Sequence, residues 1–141
     1  MPTSLHYRTI VFFTAFLAMT AATAQEVNSS WRLRLMDLER QPKAEATLHF
    51  TGERVRSCMR GNWKHLGVEP VAGGDPAFFP LAEPMAYKLE HGVLTMSRTT
   101  ACRSIPLLSA VSAARDIHGT ARVVSVGRST KLGLFILDPI E

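Results

Sequence analysis

This sequence lacks most of the features that announce an activity. There is no G-x-S-x-G elbow, and Gly127-Arg128-Ser129-Thr130-Lys131 lacks the glycine spacing of a phosphate-cradling loop. His49, His65, His91 and His118 occur singly, with no H-x-H or H-x₃-H pair. A metal would need ligands converging from separate elements, so no metal site is assigned. The carboxylates are dispersed, with no close pair to divide acid and base roles. The expectation is a protein that is not an enzyme and carries no cofactor. Charge of one sign is also scarce. Sixteen basic and twelve acidic side chains leave a formal charge of +4, with no run of Lys or Arg, so nucleic acid is not an expected partner. Cysteine is limited to Cys58 and Cys102. The one extended apolar run, Ile10–Ala22, falls short of the roughly 20 residues a membrane span needs.

That run has a different meaning. Met1–Thr9 carries the single charge Arg8, the apolar run follows, and Ala22-Thr23-Ala24 has the small-x-small pattern a signal peptidase reads. The pattern predicts a signal peptide over 1–24, cleaved before Gln25, and one domain over 25–141. The product is expected to be exported, periplasmic or secreted, with no stable membrane span after cleavage and no cysteine at its start to carry a lipid. In an exported chain an even cysteine count argues for a Cys58–Cys102 disulfide, which the chain-entropy account values at about 4 kcal/mol.

Period-two alternation dominates residues 25–141. Trp31, Leu33 and Leu35 alternate with Arg32 and Arg34; Ala44, Ala46, Leu48 and Phe50 alternate with Glu45, Thr47 and His49. Met85, Tyr87 and Leu89, then Leu94 and Met96, repeat the pattern. Such segments are strands with one dry and one wet face. Strands are predicted over 30–38, 44–51, 54–60, 62–69, 85–90, 93–99, 105–113, 117–126 and 131–138. Leu107–Arg115 is Ala-rich and could be read as a helix, but strand is favoured. Turn signals lie at Gln41-Pro42, Thr51-Gly52-Glu53, His91-Gly92 and Gly127–Thr130, and the longest loop opens at Gly73-Gly74. Short strands joined by hairpin-length turns suggest an all-β antiparallel meander of about eight strands, closed into a barrel to remove its edges. Asn28-Ser29-Ser30 matches a glycosylation sequon, which has meaning only in a eukaryotic secretory pathway.

Three groups of residues are candidates for function. Trp31, Phe50, Trp63, Tyr87 and Phe135 fall on or near dry faces and either line a ligand cavity or fill it. Strand alternation through 54–60 would put Arg54, Arg56, Cys58 and Arg60 on one face, and the disulfide would bring Arg98 close. That group is either an anion-binding patch or a solvated face paired with Glu45, Glu53 or Glu90. Three arginines inside a small barrel would be costly, so the disulfide is expected on the outer wall or at a rim. Phe78, Phe79 and Leu81 in the long loop have no strand periodicity. They either tuck over the barrel mouth or form a contact surface.

Two families share features with these residues. A Trp-led first strand, Thr47-Leu48-His49-Phe50, the cysteine beside Gly61-Asn62-Trp63, and Leu94-Thr95 leading to Thr99-Thr100-Ala101-Cys102 resemble the META domain of HslJ-type bacterial envelope proteins. Gly61-Asn62-Trp63 and the closing run Gly133–Leu137 are similar to calycins, the lipocalin and avidin-like barrels. Neither resemblance implies a catalytic residue. The expected function is binding, with a small apolar or amphipathic ligand held in the barrel. The alternative is a periplasmic interaction module, an inhibitor or an assembly or stress factor, that meets an envelope protein through the 78–81 loop or the arginine face.

Overall fold

The computed structural model describes residues 28–71, 73–81, 84–112 and 116–141. The signal peptide expected over 1–24 lies outside the described residues. Eight strands follow one another around a closed antiparallel barrel. They are β1 (Ser29–Asp37), β2 (Pro42–Arg54), β3 (Lys64–Pro70), β4 (Met85–Glu90), β5 (Val93–Arg98), β6 (Ile105–Val111), β7 (Ile117–Ser125) and β8 (Arg128–Pro139). β8 returns to pair with β1, with Leu33 opposite Leu137 and Leu35 opposite Phe135.

Alternation decides which face turns inward. In β1 Trp31, Leu33 and Leu35 are buried while Arg32 and Arg34 are exposed. Every strand contributes to one buried cluster that runs from Leu33, Leu48 and Phe50 through Leu66, Met85 and Met96 to Leu108, Ile117 and Phe135. With apolar side chains inside and arginines outside, the wall is the reverse of a transmembrane barrel, which turns its apolar band to lipid. Among the described residues no helix is long and apolar enough to cross a membrane.

Local chemistry fixes the corners. β4 and β5 are joined by His91 and Gly92 alone, both at positive φ (52° and 74°). That is the geometry of a tight hairpin whose twist suits the flanking strands. Gly119 stands opposite Phe135, and a Cβ there would lie 2.2 Å from the ring. The glycine makes room for the largest side chain of β8 in the interior.

Several expected strands and turns move. No strand forms over 54–60: β2 runs on through Thr51-Gly52-Glu53 to Arg54, and residues 55–63 connect it to β3 without a ladder. Alternation alone cannot tell a strand from an extended segment laid on a surface, and here the second is true. Val55, Ser57 and Met59 are half-buried while Arg56, Cys58 and Arg60 are exposed. Gly61-Asn62-Trp63 therefore belongs to a connection and not to a strand. The turn expected over Gly127–Thr130 shrinks to Val126-Gly127, because β8 already starts at Arg128. The Ala-rich segment is strand as far as Val111; residue 113 lies outside the described residues.

Candidate functional site: the disulfide-pinned strap

Cys58 and Cys102 are bonded, with Cα atoms 5.2 Å apart. Because the strands alternate in direction, the β2–β3 and β5–β6 connections leave from opposite ends of the barrel. A bond between them must cross the outer wall rather than clip two loops at one rim. Residues 55–63 thus form a strap over the outside, closed at its base by the Val55 amide donating to the Trp63 carbonyl (3.1 Å).

Some burial lies outside the interior. Trp63, Ala86 and Ala101 are buried, yet none belongs to the interior cluster. Ser97 is fully buried and donates from its hydroxyl to the Pro106 carbonyl at 2.6 Å. The Trp63 Nε1 donates to the carbonyls of Met59 and Arg60, at 3.1 and 3.2 Å, both within the strap. Lys88 lies with its Nζ 5.3 Å from the centre of the Trp63 ring and bonds the Glu90 carboxylate at 2.8 Å. That hydrogen bond holds the Glu90 carboxyl below the usual range.

The candidate residues separate accordingly. Trp31, Phe50, Tyr87 and Phe135 meet inside the barrel as core side chains, with Phe50 and Tyr87 edge to face at 4.8 Å. The Tyr87 hydroxyl donates to the Thr51 carbonyl at 2.7 Å, and burial pushes its pKa up. Trp63 is not with them; it sits under the strap. In the long loop, Phe79 and Leu81 are buried in the interior cluster and Phe78 packs against it. Those side chains tuck in at the end of the barrel and do not form a free-standing contact loop.

The arginines do not gather on one face. Arg54, Arg56 and Arg60 are exposed, whereas Arg98 is half-buried at the end of β5, opposite the buried Met85 and so on the inner face. Glu45 pairs with Arg32, and Glu90 with Lys88. Among the described residues, Arg54, Arg56 and Arg60 have no carboxylate partner. Beside them a cleft of about 310 Å³ opens between Arg54, Lys64, Trp63, Tyr87 and Lys88. Its walls can offer guanidinium and ammonium donors beside an aromatic face, which suits an anionic group.

Other clusters have less to offer. Strand register aligns the Ser30 hydroxyl with His49 Nδ1 (2.9 Å) and His49 Nε2 with Glu69 (3.4 Å), a line that no sequence spacing suggested. Glu69 is 74% exposed, so water screens its effect on the imidazole. Among the described residues no group of three or more His, Cys, Asp or Glu could hold a metal ion.

No family model matches this chain, and no curated protein and no solved structure is detectably similar to it.

Proposed function

We propose that this protein is an exported binding module that works through the outer wall of its barrel, recognising an acidic surface on a partner in the cell envelope. One observation carries the reading: two exposed arginines on a covalently pinned strap, Arg56 and Arg60, and a third beside it at the end of β2, Arg54, have no carboxylate of their own among the described residues. A fixed strap presents guanidiniums at little entropic cost, and paired hydrogen bonds to carboxylates are their characteristic interaction. Export is supported by the leader pattern over 1–24 and by a disulfide that an oxidising compartment would preserve. The closed eight-stranded meander is compatible with a calycin-like ancestry, and the residues that resemble a META domain remain a proposal of the same kind.

A small apolar or amphipathic ligand is the second reading. Four of the five aromatics expected to line a cavity, Trp31, Phe50, Tyr87 and Phe135, belong to one packed core cluster and Trp63 lies outside it, so the support for this reading shifts to the end of the barrel. There a cleft of about 250 Å³ is lined by Pro70, Val71, Phe79 and Leu81.

Retention on immobilised polyglutamate separates a local patch from net charge. Arg56→Glu with Arg60→Glu should weaken retention about tenfold at low salt, worth roughly 1.4 kcal/mol. Arg128→Glu with Lys131→Glu makes the same charge change on β8, on the far side of the barrel, and should cost little. Equal losses from the two pairs would sink the arginine-strap reading.

A further inference from the structure

Barrel closure is incomplete at one seam. β3 and β4 pair only at Lys64–Tyr87, His65–Ala86 and Leu66–Met85. Beyond Tyr87, β4 continues for Lys88, Leu89 and Glu90, which pair with Thr95, Leu94 and Val93 of β5 on one side and, among the described residues, have no strand on the other. The strap does not fill the gap. Its contacts with this stretch are to side chains: Lys88 Nζ bonds the Arg60 carbonyl at 3.4 Å and lies 5.3 Å from the Trp63 ring centre, and the Asn62 backbone N–H bonds the Glu90 carboxylate. Among the described residues, none of these three makes a further backbone–backbone bond outside the strand ladders. The exposure of Leu89 reports the same gap. It lies opposite the fully buried Leu94 and so shares the inner face, yet it is 36% exposed because no residue of β3 reaches its level.

An unpaired strand edge is a template for another extended chain. Three residues of edge correspond to roughly 10 Å of strand, enough to register a short segment but not to hold one by hydrogen bonds alone. The cleft beside the edge adds charge. Arg54 and Lys64 line it with no carboxylate partner among the described residues, while Lys88 is already engaged by Glu90, which lines it too.

We infer that the free Lys88–Glu90 edge is a β-strand addition site for an extended acidic peptide segment. The segment pairs with β4 where β3 has peeled away. It turns a carboxylate inward beside Leu89, on the face where register also places Lys64 and Arg54, and sets its apolar side chains outward toward the Trp63 ring. This rests on the outer-wall reading above, and it names the occupant and the place.

The probe is a five-residue peptide of alternating valine and glutamate, followed by amide chemical shifts of the full mature chain. The amides of Leu89 and Glu90 and the Trp63 indole should move. Arg54→Glu with Lys64→Glu should weaken binding at least tenfold, with Arg128→Glu and Lys131→Glu as the charge-matched control. A peptide N-methylated along its backbone should lose binding to the wild-type protein, and this arm needs no variant to fold. If the methylated peptide binds equally well, charge alone holds it and the edge inference is overturned, while the outer-wall reading stands. Equal binding of a valine–glutamine peptide overturns the acidic occupant. Failure of every peptide overturns the inference, and polyglutamate retention then tells whether the outer-wall reading survives. If phosphatidylglycerol vesicles move these amides and no peptide does, the occupant is a membrane surface and the inference is overturned.

Discussion

Trp31 and Trp63 are both buried, one on each side of the same wall, and they are buried by different means. Trp31 is one position in an alternating strand and packs into a cluster fed by all eight strands. Its burial follows from closure of the sheet. Trp63 lies outside that cluster; its indole bonds two carbonyls of its own strap, and a disulfide holds the strap down. Its burial follows from a covalent pin on a segment with no ladder. The interior is a cooperative object in which each side chain is held by many others. The strap is a local object that can fail while the barrel stands.

Breaking the interior should cost most. Phe135 is fully buried opposite Gly119, and removing its ring leaves a void that β7 cannot fill from a glycine. Phe135→Ala is expected to lower stability by about 3–5 kcal/mol in denaturant unfolding, with both tryptophans exposed in one transition. Survival of the barrel with a loss under about 1 kcal/mol would mean that the interior is not one packed unit.

Cutting the pin should cost less and act in one place. Cys58→Ala with Cys102→Ala is expected to lower stability by about 2–4 kcal/mol. Iodide should then reach Trp63 in the folded protein while Trp31 stays protected. Thiol labelling of the denatured, unreduced wild type should find no free cysteine; two labels per chain would remove the strap as described. Equal quenching of both tryptophans would erase the distinction between the two regions.

Tyr87 sharpens the comparison because it belongs to the interior cluster and also lines the cleft beside the strap. Tyr87→Phe removes the hydrogen bond to the Thr51 carbonyl and should cost about 1 kcal/mol near neutral pH. Burial raises the folded-state pKa above the ordinary 10.0, so the folded state disfavours the phenolate. That contribution is complete below about pH 10 and is lost as pH rises through the folded value, because the unfolded chain ionises first. Wild type should therefore lose more stability than Tyr87→Phe between neutral and strongly alkaline pH. Parallel pH profiles for the two would place the hydroxyl in water instead of in the wall.

Much of the fold could be read because a strand with one dry face writes its orientation into every second residue. Trp31-Leu33-Leu35 and Ala46-Leu48-Phe50 needed no tertiary information, and His91-Gly92 named its own hairpin. The disulfide was legible for a different reason: two cysteines leave one pairing, and the leader-like pattern over 1–24 makes an oxidised pair the expectation. The strap was misread for the reason the strands succeeded. Val55-Arg56-Ser57-Cys58-Met59-Arg60 alternates because one side lies against the barrel, and period two is the same for an extended segment with no partner strand. Trp63 was placed with the interior aromatics by the same logic.

The sequence by itself determined which residues of regular strands such as β1 turn inward, that the chain reverses at His91-Gly92 and which cysteines pair, because those depend on neighbours a few positions away or on simple counting. Only the tertiary structure decided that Phe79 and Leu81 are buried at the barrel end, that Arg54, Arg56 and Arg60 stand without carboxylates among the described residues, and that β3 leaves β4 after three pairs. Each of these depends on register between segments far apart in the chain. Register is set by the closure of the whole barrel, and no short window of residues contains it.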